Sequence, residues 1–292
     1  MKTRKRIYQI ILAVAMGILT VAFFTGCSST TDNKPVANSS AASSAEDSLA
    51  KIKAKGKLVV GINAEFAPFE FHAIVDGKDK IAGFDADLAK EIAKDMGVEL
   101  EIKELSFDAL LTTLQSGQLD VVISGVSATE ERRKTVDFSD TYYKGIQVLL
   151  TKKENLGEFN NFNDLKDKKI GLQLSSLQDK LMQSLLPDGK YTKIESMNTL
   201  FLSLKSNQID GIVTTKIVSE MAVAGNPEFA ISDKVEIDDS SLNSPGVAVA
   251  LRKGSTSLQT QINGTVKRVK ESGQMQSYVD AACILAGTNQ TK

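Results

Sequence analysis

Histidine is almost missing: His72 is the only one in 292 residues. That argues against a zinc site built on imidazoles and against a Ser-His triad. Cysteine is nearly as scarce, with only Cys27 and Cys283, so a packed core rather than a disulfide framework must hold the fold. No stretch matches GxxxxGK followed by Ser or Thr, which leaves nucleotide hydrolysis to another chain. Charge of one sign is lacking too, with 35 basic residues against 36 acidic ones and a net charge of −1. Without Lys2, Arg4, Lys5 and Arg6 the balance is 31 against 36, or −5, a poor basis for binding nucleic acid.

What is present begins with an export signal. Basic residues at 2–6 precede an apolar segment, 7–24, that ends at Thr25-Gly26-Cys27. An uncleaved membrane anchor is the alternative, because the segment is nearly long enough to span. The tetrapeptide FTGC resembles the lipobox of bacterial lipoproteins, although Phe24 stands where Leu is usual. The resemblance implies cleavage after residue 26 and acylation of Cys27. Either way the body of the protein is expected outside the membrane and tethered to it. Residues 28–48, mostly Ser, Thr, Ala and Asn, read as a flexible tether. Cys283, in AACILA, reads as a small buried hydrophobe.

The stretch that carries chemistry is 120–143, DVVISGVSATEERRKTVDFSDTYY. The apolar run 121–123 fits a buried strand. Ser124, Gly125, Ser127 and Ala128 follow, small enough for a backbone to approach a ligand closely. Thr129 can cap a helix whose first turn carries Arg132, so free N–H groups, a hydroxyl and a guanidinium meet at one point. A carboxylate suits the planar fork of arginine best. No base, nucleophile or metal ligand adjoins the stretch, so no catalytic residue and no metal or cofactor is expected. A solvated arginine on a charged helix is the competing reading of Arg132.

Along the chain, strand and helix signals alternate. A strand is expected at 58–62, a loop broken by Pro68, a hairpin turn at 76–80, and a helix through Leu88, Ile92, Ala93 and Met96 that Gly97 stops. A strand at 98–105, a helix at 107–116, a helix at 177–186 capped by Ser175-Ser176, and a last helix at 266–278 follow. Apolar runs at 146–151 and 247–251 separate two halves. Alternating strands and helices imply parallel sheets covered on both faces. One internal repeat decides the architecture: LQSGQLDVVISG at 114–125 returns as LKSNQIDGIVTT at 204–215. Each copy reads as a helix end, a turn and a strand whose carboxyl end presents hydroxyls, where open α/β sheets bind ligands. Two copies suggest two lobes facing one another across a cleft.

FAPFEF at 66–71, GFDADLA at 83–89, SGVSATEERRKTVDFSDTYY at 124–143 and GLQLSSLQ at 171–178 together resemble the extracellular solute-binding proteins of family 3. These are the polar amino acid-binding lipoproteins of ABC importers, and the resemblance runs over roughly residues 50–285. It implies a type II, periplasmic-binding-protein-like α/β fold in which two crossing strands join two lobes. Lobe one would take 49–146 and 249–286 and lobe two 151–245, after a signal peptide at 1–26 and a tether at 27–48. Arg132 would clamp the α-carboxylate of an amino acid with help from Ser127, and the Gly125 carbonyl would accept from its α-amino group. Ser124 belongs to the same small-residue turn. Phe66 and Phe107 would sandwich the ligand side chain, although Phe107 reads equally as a helix-packing residue. Lobe two would add Ser176 to the carboxylate and Gln173 to the side chain. Phe69 is expected in the core, Asp85 as a structural cap, and Tyr142 and Tyr143 packed near the lobe junction rather than on the ligand.

Two departures from the family pattern stand out. Thr215 stands where an acidic residue commonly meets the α-amino group, and Asn63 where an Asp is frequent. Charge-assisted hydrogen bonds are roughly twice as strong as neutral ones, so these changes bear on ligand choice. The implied function is capture of an extracellular polar amino acid, with arginine, glutamine and lysine the leading candidates. Delivery to a separate permease and ATPase and a lipid anchor at Cys27 complete the picture. The rivals are an enzyme on the same fold, resembling cyclohexadienyl dehydratase with Glu65 as general acid, and a sensor or adhesin ectodomain.

Overall fold

A computed structural model describes residues 48–289. The expected leader, nearly all of the tether and Cys27 lie outside them. The chain enters through α1 (Ser48–Lys55), β1 (Lys57–Ile62), β2 (Glu65–Phe66), β3 (Glu70–Val75), β4 (Lys78–Ala82), α2 (Phe84–Met96), β5 (Glu99–Glu104) and α3 (Phe107–Gln115). Next come β6 (Val121–Val122), the single-turn α4 (Glu130–Arg133), β7 (Val136–Tyr143) and β8 (Gln147–Lys152). Then follow β9 (Lys169–Gln173), α5 (Leu177–Leu185), β10 (Lys190–Ile194), α6 (Met197–Lys205), β11 (Gly211–Thr215), α7 (Lys216–Gly225) and β12 (Phe229–Ile231). The chain closes on β13 (Val247–Arg252), α8 (Thr256–Glu271) and α9 (Gln274–Asn289).

Two five-stranded sheets result, ordered β5-β1-β6-β13-β7 and β10-β9-β11-β8-β12, and a small β2-β3-β4 meander sits beside them. The sheets are mixed, not purely parallel. β1 runs parallel to β5 and β6, and β9 parallel to β10 and β11. β13 lies antiparallel to β6 and β7, and β8 antiparallel to β11 and β12. The apolar runs at 146–151 and 247–251 are these antiparallel strands. Each is the first strand laid down after the chain passes from one sheet to the other, so it enters against the direction of its neighbours.

The repeat folds twice in the same way, and the reason is visible atom by atom. The last turns of α3 and α6 bury Leu114 and Leu204. Gly117 and Asn207 then take left-handed φ values of 82° and 60°, which only Gly and Asn adopt cheaply. The aspartates of the repeat reach the neighbouring strand: Val59 N–H donates to Asp120 Oδ2 and Lys169 N–H to Asp210 Oδ2, both at 2.7 Å. The backbone N–H groups of the two aspartates donate in return to the carbonyls of Val59 and Lys169. One motif thus pins β6 to β1 and β11 to β9.

Helix α2 buries Phe84, Leu88, Ile92, Ala93 and Met96 and ends on left-handed Gly97, as its spacing implies. The C-terminal helical pattern departs from expectation. It is two helices, α8 and α9, broken at Ser272-Gly273 in the middle of the expected single one. Cys283 is half-buried on α9 and has no disulfide partner among the described residues. His72 sits on the surface with its two ring nitrogens 3.0 Å from Asp79 and Glu104. Among the described residues no helix is long and apolar enough to cross a membrane, and no group of side chains has the makings of a metal site.

Candidate functional site

The stretch after β6 builds the site. The chain leaves the sheet and turns at Gly125 with φ of 56°. A Cβ there would lie 3.3 Å from the Phe66 ring, so glycine is needed for both the turn and the close approach. Thr129 caps α4 by accepting from the Arg132 N–H at 3.3 Å. The Arg132 guanidinium then donates to the carbonyls of Ser127 and Ser175, each at 2.9 Å, and lies 5.7 Å from the centre of the Phe107 ring. Ser175 belongs to the second sheet's side, so Arg132 already bridges the lobes. Ser176 caps α5 by accepting from the Asp179 N–H at 3.0 Å.

A cleft opens between the lobes. Of the ten expected binding residues, Phe66, Phe107, Gly125, Ser127, Arg132, Gln173, Ser176 and Thr215 line it. Two do not. Ser124 is fully buried; its hydroxyl donates to Glu70 Oε1 at 2.7 Å and accepts from the Asn63 N–H at 3.0 Å. Asn63 lies behind the wall, where its amide donates to the Leu105 carbonyl and accepts from Gln173 Nε2 across the lobes at 3.1 Å. Both are engaged by neighbours before any ligand can reach them.

Arg132 is the electrostatic centre of the site. No carboxylate forms an ion pair with it among the described residues, and its two partners are neutral carbonyls. Desolvation pulls its pKa down to about 10, a strong shift for a group that otherwise stays charged throughout. A half-buried cation whose guanidinium meets only carbonyls and an aromatic ring gains much from an incoming anion.

Other residues of the cleft were not singled out from sequence. Asp239 contributes the one carboxylate lining it among the described residues, and Gln147, Gln178, Ser244 and Lys144 join it. Gln178 Nε2 donates to Gln147 Oε1 at 2.7 Å and reaches Thr215 Oγ1 at 3.5 Å; Gln147 Nε2 donates to Asp239 Oδ2 at 3.2 Å. Phe69 is core, as expected, yet also shows an edge to the cleft, and Tyr143 lines it rather than merely packing at the junction. Asp85 does not cap α2, whose N-cap makes no side-chain bond; it accepts instead from Gly125 N–H and Tyr142 O–H. Glu65 lines a separate groove with Phe201 and Met221.

Two mixed sheets facing each other across a cleft with an unpaired cation define a type II, periplasmic-binding-protein-like ligand receptor fold. A profile of the bacterial extracellular solute-binding proteins, family 3, matches residues 58–281, and the chain belongs to that family. It is similar to the arginine-binding extracellular protein ArtP of Bacillus subtilis, 35% identical over 225 residues that span 76% of this chain and 84% of ArtP. Among solved structures it is similar to the amino acid ABC transporter substrate-binding protein AbpA from Streptococcus pneumoniae bound to L-arginine. There the TM-score is 0.78 at 39% identity, covering 81% of this chain and 98% of AbpA. It is also similar, with a TM-score of 0.70 and 31% identity over 80% of this chain and 98% of the other, to the ancestral amino acid-binding protein AncCDT-1, a precursor of cyclohexadienyl dehydratase.

Proposed function

We propose that the chain captures a cationic amino acid, L-arginine first among candidates, outside the cell and hands it to the permease of an ABC importer. The observation that carries this reading is the unpaired Arg132, turned into a cleft between two lobes that already touch. The ligand α-carboxylate takes the fork of Arg132 beside Ser127 and Ser176. Its α-amino group meets the Gly125 carbonyl, and its side chain lies between Phe66 and Phe107. Asp239, backed by Gln147 and Gln178, supplies the negative charge that Thr215 does not. A guanidinium suits both the aromatic faces and the carboxylate. The arginine-binding relatives support the choice.

Arg132 and Asn63 already reach across the cleft to Ser175 and Gln173, so the ligand enters with the lobes apart and closes them. Closure removes water and lowers the dielectric around the Arg132–carboxylate pair, strengthening it. The closed form, anchored through a lipid on Cys27, is what the permease recognises. The enzymatic alternative loses its named acid, because Glu65 faces the other groove.

A thermal-shift screen of residues 28–292 against the common amino acids tests the proposal. L-Arginine at a hundredfold excess over Kd should stabilise by about 2.7 kcal/mol. No shift with any amino acid, together with formation of an aromatic product from prephenate or arogenate, would overturn it in favour of the enzyme.

A further inference from the structure

Beneath the cleft floor lie two acids that no ligand can touch. Glu70 opens β3 and is 1% exposed; Asp85 lies in the first turn of α2 and is 0% exposed. Asp85 N–H donates to the carbonyl of Phe69 at 2.9 Å, which sets the two residues side by side, close enough for the charge of Asp85 to push the Glu70 carboxyl up. No basic side chain pairs with either among the described residues. The titratable groups facing the pair are each other and the Tyr142 hydroxyl, on β7.

Each acid uses one oxygen fully. Glu70 Oε1 accepts from Ser124 Oγ at 2.7 Å. Asp85 Oδ2 accepts from Gly125 N–H at 2.7 Å and from Tyr142 O–H at 2.9 Å. The remaining oxygens, Glu70 Oε2 and Asp85 Oδ1, are buried without a donor. Two facing carboxylates in a dry site repel each other, and two protonated acids leave Gly125 with a weaker acceptor. One proton held between the two carboxyls leaves a single charge, spread toward Gly125 N–H.

We propose that Glu70 and Asp85 share one proton and act together as positioning residues for the ligand-binding turn, gripping consecutive residues at the cleft floor. Glu70 holds the Ser124 side chain and Asp85 the Gly125 amide, so the direction of the Gly125 carbonyl is set from below. This rests on Gly125 meeting the ligand amino group. Burial pushes both carboxyls up, Asp85 to about 6 and Glu70 well above its usual range. Losing the shared proton as pH rises therefore loosens the turn and weakens binding.

The test compares L-arginine affinity across pH for the wild type, Glu70→Ala and Glu70→Gln. Glutamine keeps an acceptor for Ser124 and offers Asp85 a permanent N–H in place of the proton. Glu70→Ala should weaken binding at pH 7 and Glu70→Gln should restore it. The ratio of Glu70→Gln to wild-type affinity should rise with pH, by up to about tenfold per pH unit; the ligand's own titration is common to both proteins and cancels. A ratio that stays flat with pH overturns the proposal. Infrared spectra of the unliganded wild type should show the carbonyl stretch of a protonated carboxylic acid at neutral pH, missing in Glu70→Gln. Absence of that band from the wild type overturns the shared proton whether or not any variant folds. If the wild type shows the band but binds no arginine, the ligand assignment fails and the shared proton stands.

Discussion

Arg132→Met separates holding a ligand from holding the fold. The guanidinium makes two charged hydrogen bonds, to the Ser127 and Ser175 carbonyls, each worth about 1.5–3 kcal/mol. Against these stands the desolvation of a cation with no counter-ion, and exchanging buried charges for apolar groups of similar size is often close to neutral. Methionine keeps most of the stem and a sulfur contact with Phe107. The melting temperature should therefore stay within about 3 °C of wild type, corresponding to roughly 1 kcal/mol. Binding is different. Removing one partner of a desolvated charge pair costs about 2–5 kcal/mol, a loss of about 30- to 5,000-fold in affinity. Calorimetric titration of L-arginine into the variant measures it. A loss below about fivefold in a protein of unchanged stability would mean that the carboxylate is not held at Arg132.

The other expectations follow from single contacts. Asp239→Asn should weaken L-arginine by about tenfold, through loss of a charge-assisted bond, and adding Thr215→Asp should recover part of it; equal affinities in titrations of all three proteins would place the cation elsewhere. Gly125→Ala forces a side chain into left-handed backbone 3.3 Å from the Phe66 ring. It should cost about 1–2 kcal/mol and lower the melting temperature by about 2–8 °C, read by calorimetry. Asp120→Ala strands the buried Val59 N–H, whereas Asp210→Ala frees a Lys169 N–H near solvent. Denaturant unfolding should show the first costing about 1–3 kcal/mol and the second less. Finally, Glu70 and Asp85 have folded pKa values raised above their unfolded ones. Their contribution is complete below about pH 4 and lost as pH rises through the folded values. Asp95 and Asp137, lowered by Arg268 and Lys253, act in the opposite sense, losing their contribution as pH falls below about 4. The difference in melting temperature between Glu70→Gln and wild type should thus grow from pH 5 to pH 8 and isolate the pair.

Much of the fold was legible because its signals are local. Leu114, Gly117 and Asp120 act within seven residues, and Leu204, Asn207 and Asp210 repeat them, so one pattern read twice predicts both helix-to-strand turns and, from them, two sheets. Strand direction was less legible. The runs 146–151 and 247–251 read correctly as strands between two halves, but their antiparallel entry follows from where the chain crosses, which no local pattern records. The break in the final helix escapes the pattern for a related reason. Apolar residues keep helical spacing on either side of Gly273, and a glycine inside such a pattern is tolerated often enough to be passed over.

The site divides along the same line. Arg132, Ser127 and Gly125 were legible because one continuous stretch supplies them, with a capping threonine and small residues in the order an anion site needs. Gln147, Gln178 and Asp239 come from three separate segments, and their meaning lies in bonds to one another rather than in any spacing. Asn63 and Thr215 read from sequence as two lost negative charges. In the structure Asn63 spends its amide on Leu105 and Gln173, while Thr215 stands within reach of a glutamine whose partner binds Asp239. The negative charge of the cleft therefore sits on the loop returning between the lobes and not at the end of β11. That loop lies between the lobes, so under the proposed capture of arginine the contact of Asp239 with the ligand cation is one that closure would complete.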